Sequence, residues 1–224
     1  MNLLENGILL IDKPAGWTSF DVVAKIRGKR KAAFREAGIT PTKQQLKVGH
    51  AGTLDPFATG LLIILLGKAT RQSDEFLKKD KVYEATIRLS ATSSTGDPEG
   101  EITVESTLQP SESDIREVFG KFTGQITQTP PAYSAIKVNG QRAYKLARKG
   151  QAVELPSRVV TIHSLELLSY DYPNVTLRTN VSSGTYIRSL AQDIGSALGT
   201  GAYCQTLRRT EIDGMTIQSA SAIL

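Results

Sequence analysis

Three residues separate a turn rich in glycine and proline from the most apolar stretch of the chain. The turn reads Gly49-His50-Ala51-Gly52-Thr53-Leu54-Asp55-Pro56, and the stretch that follows is Gly60-Leu61-Leu62-Ile63-Ile64-Leu65-Leu66-Gly67. Its aliphatic run is far too short to span a bilayer. It reads instead as a buried strand around which a core must be built. Asp55 therefore sits on a turn of restricted backbone at the edge of that element. A carboxylate held rigidly beside a core strand is better placed for chemistry than one on a mobile loop, although a bare Asp-Pro pair asks for no more than a turn.

The remaining pattern mixes strands and helices. Residues 7–11 are a short apolar strand candidate, and Thr18 or Ser19 can cap a helix running toward Arg30. Periodicity is lost from 28 to 47, where Gly38 and Thr40-Pro41-Thr42 among scattered charges predict a loop. Residues 81–89 alternate, with Tyr83, Ala85, Ile87 and Leu89 on the inward face of a half-buried strand. Ser111 to Asp114 reads as a capping box for a helix carrying Ile115, Val118, Phe119 and Phe122. Residues 159–170 and 175–181 predict paired strands around Tyr172-Pro173-Asn174. Thr185 is a candidate N-cap for a helix built on Ile187, Leu190, Ala191, Ile194 and Leu198 and ended by Gly199, with Arg188 beside its apolar face. Without strict βαβ alternation the class is α+β, with a largely antiparallel mixed sheet flanked by helices and loops. No repeat or linker is visible, so a single domain over residues 1–224 is expected.

Net charge is +5, but residues 25–47 alone carry Lys25, Arg27, Lys29, Arg30, Lys31, Arg35, Lys43 and Lys47 against Glu36, or +7, leaving −2 elsewhere. A basic patch on a near-neutral body is the footprint of a phosphate-backbone partner, although a solvated loop would carry the same charge. One cysteine, Cys204, excludes an internal disulfide. Two histidines and that cysteine make no spaced ligand set, so no metal is expected. The 60–70 stretch fails as a phosphate loop and no Gly-x-Gly-x-x-Gly occurs, so no cofactor is expected either. With no secretory leader and no membrane-length run, the expectation is a cytoplasmic monomer.

The signature turn continues Phe57-Ala58-Thr59-Gly60, and the full run resembles the G-H-x-G-x-L-D-P-x-A-x-G signature of the TruB family of tRNA pseudouridine synthases. Further segments resemble that family in order: Asp12-Lys13-Pro14-Ala15-Gly16, Lys81-Val82-Tyr83-Glu84, Pro130 to Lys137 followed by Gly140, Tyr144, Ala147-Arg148 and Gly150, Gly184 to Leu190, and Leu207-Arg208-Arg209-Thr210. The resemblance runs from about residue 7 to about residue 214. It implies a pseudouridine synthase-like fold and conversion of a T-loop uridine (position 55 in tRNA convention) to pseudouridine.

By that resemblance Asp55 is the nucleophile and Arg188 the cation against it. Tyr83 and Tyr186 hold the flipped base and Leu207 gives apolar contact. His50 contacts RNA or displaces the base, and Lys13 supports the pocket floor or is scaffold. Lys29, Arg30, Lys31 and Arg35 in a basic loop, and Lys137, Arg142 and Arg148 in a gripping segment over about 125–156, are the expected contacts to the T-arm of tRNA. Residues 89–97 depart from the family's L-G-x-x-T-D-T-x-D pattern, which is read as a changed loop outside the catalytic centre. The loop before Gly49 is longer than expected, and no C-terminal PUA domain follows, so the basic loop is expected to supply part of the RNA grip. Two alternatives stand beside this reading: a guide-directed synthase of the Cbf5/dyskerin class, and a non-catalytic RNA-binding or tRNA-folding protein.

Overall fold

The computed structural model describes residues 2–134, 136–138, 140–151 and 155–223. The chain divides into two compact units, Met1–Tyr83 with Arg208–Leu224, and Glu84–Leu207. Both boundaries fall inside strands, which is why no linker is visible in the sequence.

In the first unit the chain enters through β1 (Gly7–Lys13) and α1 (Ser19–Glu36), then β2 (Val48–Ala51) and β3 (Thr59–Leu66). A 3₁₀ turn (Gly67–Gln72) and the short α2 (Ser73–Leu77) lead to β4 (Lys81–Leu89). Strand β3 is the expected apolar run. It pairs antiparallel with the whole of β1, Gly7↔Leu66 to Lys13↔Gly60, and antiparallel with β2, Val48↔Leu66 to Ala51↔Ile63. A strand with neighbours on both edges and cover on both faces has no polar position to offer, and residues 61–66 are all buried. Leu61, Ile63 and Leu65 form one core cluster with Ala51, Ala69 and Ile212.

The second unit begins in β4 and continues through β5 (Ala91–Ser93), β6 (Ile102–Val104), α3 (Glu112–Phe122) and β7 (Gly124–Gln128). A small hairpin of β8 (Lys137–Val138) and β9 (Gln141–Arg142) precedes α4 (Ala143–Ala147). The long hairpin of β10 (Arg158–Asp171) and β11 (Asn174–Val181), then α5 (Ile187–Ala197) and β12 (Ala202–Ile212), complete it. Its strand order is β12-β4-β11-β10-β7, with β10 antiparallel to both β11 and β7. Burial alternates strictly along β4, and Ser111 caps α3 through the expected box with Asp114. Back in the first unit, the end of β12 runs parallel to β3 (Arg208↔Thr59, Arg209↔Gly60), and β13 (Met215–Thr216) pairs with β12. A second 3₁₀ turn (Ile217–Ser219) then leads to β14 (Ser221–Ala222), parallel to β1. The sheet is mixed and mostly antiparallel, as expected.

Two sequence expectations fail here. The basic segment is a loop only in its second half: α1, capped by Thr18 with Asp21, runs to Glu36, so Lys25, Arg27, Lys29, Arg30, Lys31 and Arg35 are helical. Periodicity is present but disguised, because the buried stripe continues Ile26, Arg30, Phe34, with an arginine in an apolar slot. Arg30 is fully buried. Its guanidinium donates to the carbonyls of Gln45 (2.5 Å), Glu5 (2.7 Å) and Leu3, and lies 5.3 Å from the Phe34 ring centroid. It is therefore withdrawn from the RNA-contact set. At α5, Tyr186 rather than Thr185 is the N-cap, and the Thr185 hydroxyl donates instead to the Ser182 carbonyl.

Arg30→Ala should lower unfolding free energy by about 2–4 kcal/mol, because it abandons several buried carbonyls at once. Exposed Lys31→Ala should stay within about 0.5 kcal/mol in the same urea titration.

Candidate active site

In the first unit, the residues around Asp55 are held from both sides. The Ser19 hydroxyl, at the start of α1, donates to the Leu54 carbonyl (3.1 Å) and accepts from the Leu54 N–H (2.9 Å). The Pro56 carbonyl accepts from the Gly16 N–H (2.8 Å) and from the Lys13 ammonium (3.3 Å). Asp55 lies between these anchors, half-buried, and its own carbonyl accepts from the Ala58 N–H (3.1 Å) to close the turn. Arg209 is 1% exposed and braces the turn from below, donating to the carbonyls of Gly52 (3.0 Å) and Leu61 (2.7 Å). Two signature glycines are required by this packing. Gly52 has φ +94° and faces the Arg209 guanidinium, while a Cβ on Gly60 (φ +101°) would sit 2.3 Å from the Arg209 carbonyl oxygen.

Lys13 is 0% exposed, and its ammonium also donates to the carbonyls of Trp17 (2.7 Å) and Pro14 (2.9 Å). Its ammonium thus ties three backbone carbonyls together, as the scaffold reading of Lys13 expects. His50 is half-buried on β2, its ring perpendicular to that of Phe20 with centroids 5.2 Å apart. Tyr83 is buried on the inward face of β4. Two residues before it, Lys81 is buried and donates to the carbonyls of Leu77 (3.1 Å), Phe76 (3.5 Å) and Lys79. Burial, aided by the positive charge of Arg209 and opposed by Asp80 and Asp213, pulls its pKa down to about 8.

In the second unit, Arg188 stands in the first turn of α5 and is 3% exposed, within the packed interior rather than beside it. It donates to Asp97 Oδ2 (3.0 Å) and to the carbonyls of Thr95 and Tyr133 (both 2.8 Å). Asp97 is itself buried, and its Oδ1 accepts from the Thr95 hydroxyl (2.6 Å) and the Glu99 N–H (3.1 Å). The sequence reading of this segment as a changed loop did not foresee that Asp97 pairs with Arg188. The retained Thr95-Gly96-Asp97 end of the family pattern was the signal that could have found it.

Tyr186 is held by the buried Gln128 amide, which accepts from its N–H (2.8 Å) and donates to its carbonyl (3.0 Å), and Arg158 lies 4.9 Å over its ring. Sequence reasoning missed both partners, and Ser19 except as a candidate cap. Leu207, on β12, is buried. Arg142 and Arg148 are exposed at the start and end of α4, Arg148 over the Tyr144 ring. The Lys137 side chain, Ala135 and Asn139 lie outside the described residues. Lys31 and Arg35 are exposed and Lys29 half-exposed along α1. Among the described residues no group of His, Cys, Asp and Glu could hold a metal ion, and no helix is long and apolar enough to cross a membrane.

A turn-mounted carboxylate braced by a lysine, a serine and an arginine is a specific arrangement, and residues 39–187 match the family described as TruB family pseudouridylate synthase (N terminal domain). The chain belongs to the TruB family. TruB relatives named tRNA pseudouridine synthase B include those of Cupriavidus metallidurans (46% identical over 217 residues) and Ralstonia nicotianae (44% over 219). Each match covers 96% of this chain but only 65% and 66% of the relative, so the chain spans just under two thirds of their length. Among solved structures, a Cbf5-Nop10-Gar1 complex superposes with TM-score 0.70 at 29% identity, covering 98% of this chain and 53% of that one. An archaeal box H/ACA Nop10-Cbf5 complex gives 0.67 at 29%, covering 98% and 52%. The TruB fold expectation is met.

Asp97→Ala removes at once the buried acceptor of Arg188, the Thr95 hydroxyl and the Glu99 N–H, so it should cost about 3–5 kcal/mol in urea unfolding. For Lys81 the sign follows from a folded pKa below the unfolded one. The cost of its buried charge is fully present below pH 8 and is relieved as pH rises toward 10. Stability of the wild type relative to Lys81→Met should therefore rise over that window, by up to about 1.4 kcal/mol per pH unit. A flat difference between pH 7 and 10 would refute the shift.

Proposed function

We propose that this chain isomerises uridine to pseudouridine in tRNA, at the T-loop uridine of position 55, with Asp55 as the reacting carboxylate. The observation that carries the reading is the mounting of Asp55: half-buried, between two backbone carbonyls that are each held by donors from elsewhere in the unit. The relatives named tRNA pseudouridine synthase B support tRNA as the substrate.

The reaction breaks the N1–C1′ bond, turns the base and joins C5 to C1′, while C5 gives up a proton and N1 gains one. No electrons are exchanged with a second reactant, so a carboxylate that divides the step is sufficient chemistry. Attack at C1′, attack at C6 and a glycal route all use a carboxylate at this place. In this reading Arg188 supplies the cation that favours ionised Asp55 against desolvation. Tyr83 and Tyr186 offer ring faces to the extruded base and Leu207 an apolar contact. His50 occupies space the base vacates. Lys29, Lys31, Arg35, Lys137, Arg142 and Arg148 meet phosphates of the T-arm.

Identity is higher to the tRNA pseudouridine synthase B relatives, 44–46%, than to the Cbf5 complexes, 29%. That difference favours a stand-alone synthase over a guide-directed one.

Incubation with an unmodified tRNA transcript and no guide RNA, followed by pseudouridine mapping, separates the readings. Wild type should modify the T-loop uridine. Asp55→Asn should abolish product while tRNA affinity stays within a few-fold, because phosphate contacts dominate affinity. Residual turnover within about tenfold of wild type would remove Asp55 from the nucleophile's role.

A further inference from the structure

Phe20, the second residue of α1, is 68% exposed. Its ring stands at 87° to the His50 imidazole with centroids 5.2 Å apart, an edge-to-face contact that still leaves most of the residue open to solvent. Its position is fixed from two directions. Thr18, two residues earlier, caps the helix through Asp21, and Ser19, its immediate neighbour, exchanges two hydrogen bonds with Leu54 beside Asp55. A large apolar ring left in water adds little to folding, yet here it is mounted rigidly next to the signature turn.

The same helix face continues it. Arg27, Lys31 and Arg35 follow Phe20 at i+7, i+11 and i+15, and all three are exposed. The buried face, through Val22, Val23, Ile26, Arg30 and Phe34, lies beside this stripe around the helix. The stripe extends over about 22 Å of helix. The two acids of the helix fall outside it, and Asp21 is already engaged by the cap. Arg27 is steadied by donating to the Val48 carbonyl (3.2 Å), which leaves Lys31 and Arg35 as the freely presented cations.

We propose that this face of α1 is a track for the RNA strand flanking the target nucleotide, with Phe20 stacking one of its bases and Lys31 and Arg35 meeting the phosphates beyond. A rigid aromatic platform in line with cations is how proteins hold single-stranded nucleic acid, because every base offers a π face and every linkage a charge. An apolar partner helix would ask for more exposed apolar neighbours than one ring. The inference rests on the functional reading above and adds a base contact to it.

The test uses an unmodified tRNA transcript. Phe20→Ala and Phe20→Leu should weaken its binding by about five- to a hundredfold, while Phe20→Tyr and Phe20→Trp stay within about twofold. Leucine keeps apolar packing against His50 but has no π face, so it separates stacking from support of the histidine. In a Trp17→Phe background, which removes the chain's one tryptophan, the fluorescence of Phe20→Trp should be quenched on adding RNA. Lys31→Ala with Arg35→Ala should flatten the log–log salt dependence of binding by about 1.4, two single-strand phosphates' worth. Thermal unfolding close to wild type checks that each variant is folded. If Phe20→Leu binds as tightly as wild type, or the indole of Phe20→Trp is unquenched, the track is refuted while the functional reading stands. If wild type neither binds nor modifies the transcript, the functional reading fails first.

Discussion

The Leu54 carbonyl accepts from the Ser19 hydroxyl, and the Pro56 carbonyl from the Lys13 ammonium and the Gly16 N–H. Between these two peptide groups stands Asp55. The plane before its Cα is held through the Leu54 carbonyl, and the plane after it through its own carbonyl, which accepts from the Ala58 N–H. The carboxylate thus keeps few torsions beyond its own side chain and is already close to a working geometry. The tie depends on burying a lysine, which is tolerable only because its ammonium meets carbonyl acceptors. The Asp12-Lys13-Pro14-Ala15-Gly16 loop and the signature turn are therefore one structural object, although a long helix and a loop lie between them in the chain.

Three arginines repeat the theme. Arg30 gathers carbonyls of Leu3, Glu5 and Gln45, Arg209 those of Leu61 and Gly52, and Arg188 those of Thr95 and Tyr133 together with the Asp97 carboxylate. A guanidinium presents five donors in a rigid fork, so it can satisfy segments that converge without forming regular structure. Part of the positive charge that composition assigns to a nucleic-acid partner is thus interior scaffolding. Only the exposed remainder, such as Lys31, Arg35, Arg142 and Arg148, can act on phosphates.

Most of the architecture was legible because burial wrote itself into simple periods. The apolar run of β3, the alternation of β4, the capping box at Ser111 and a cap at Thr18 or Ser19 needed no knowledge of the tertiary structure. Legibility stopped where a polar residue occupied an apolar position. Arg30 broke the visible stripe of α1 and made a helix look like a loop, and Arg188 looked peripheral to α5 because a charge is not expected inside. The same limit applies to the site. Asp55 and Arg188 were singled out as candidates through motifs, whereas Ser19, Gln128 and Asp97, which hold neighbouring groups within each unit, act through contacts 35, 58 and 91 residues away that no local pattern encodes.

The parallel pairing of Arg208 and Arg209 with Thr59 and Gly60 sets an order of events during synthesis. The Arg209 guanidinium reaches the Gly52 carbonyl across 157 residues of sequence. At about 5–20 residues per second a ribosome needs on the order of ten seconds or more to make that stretch. A nascent chain therefore carries the whole signature turn long before it carries the strand that braces it. The finished mount of the carboxylate comes into being only once residue 209 has emerged, so a chain still being translated past its own signature is an incomplete tool until β12 joins it.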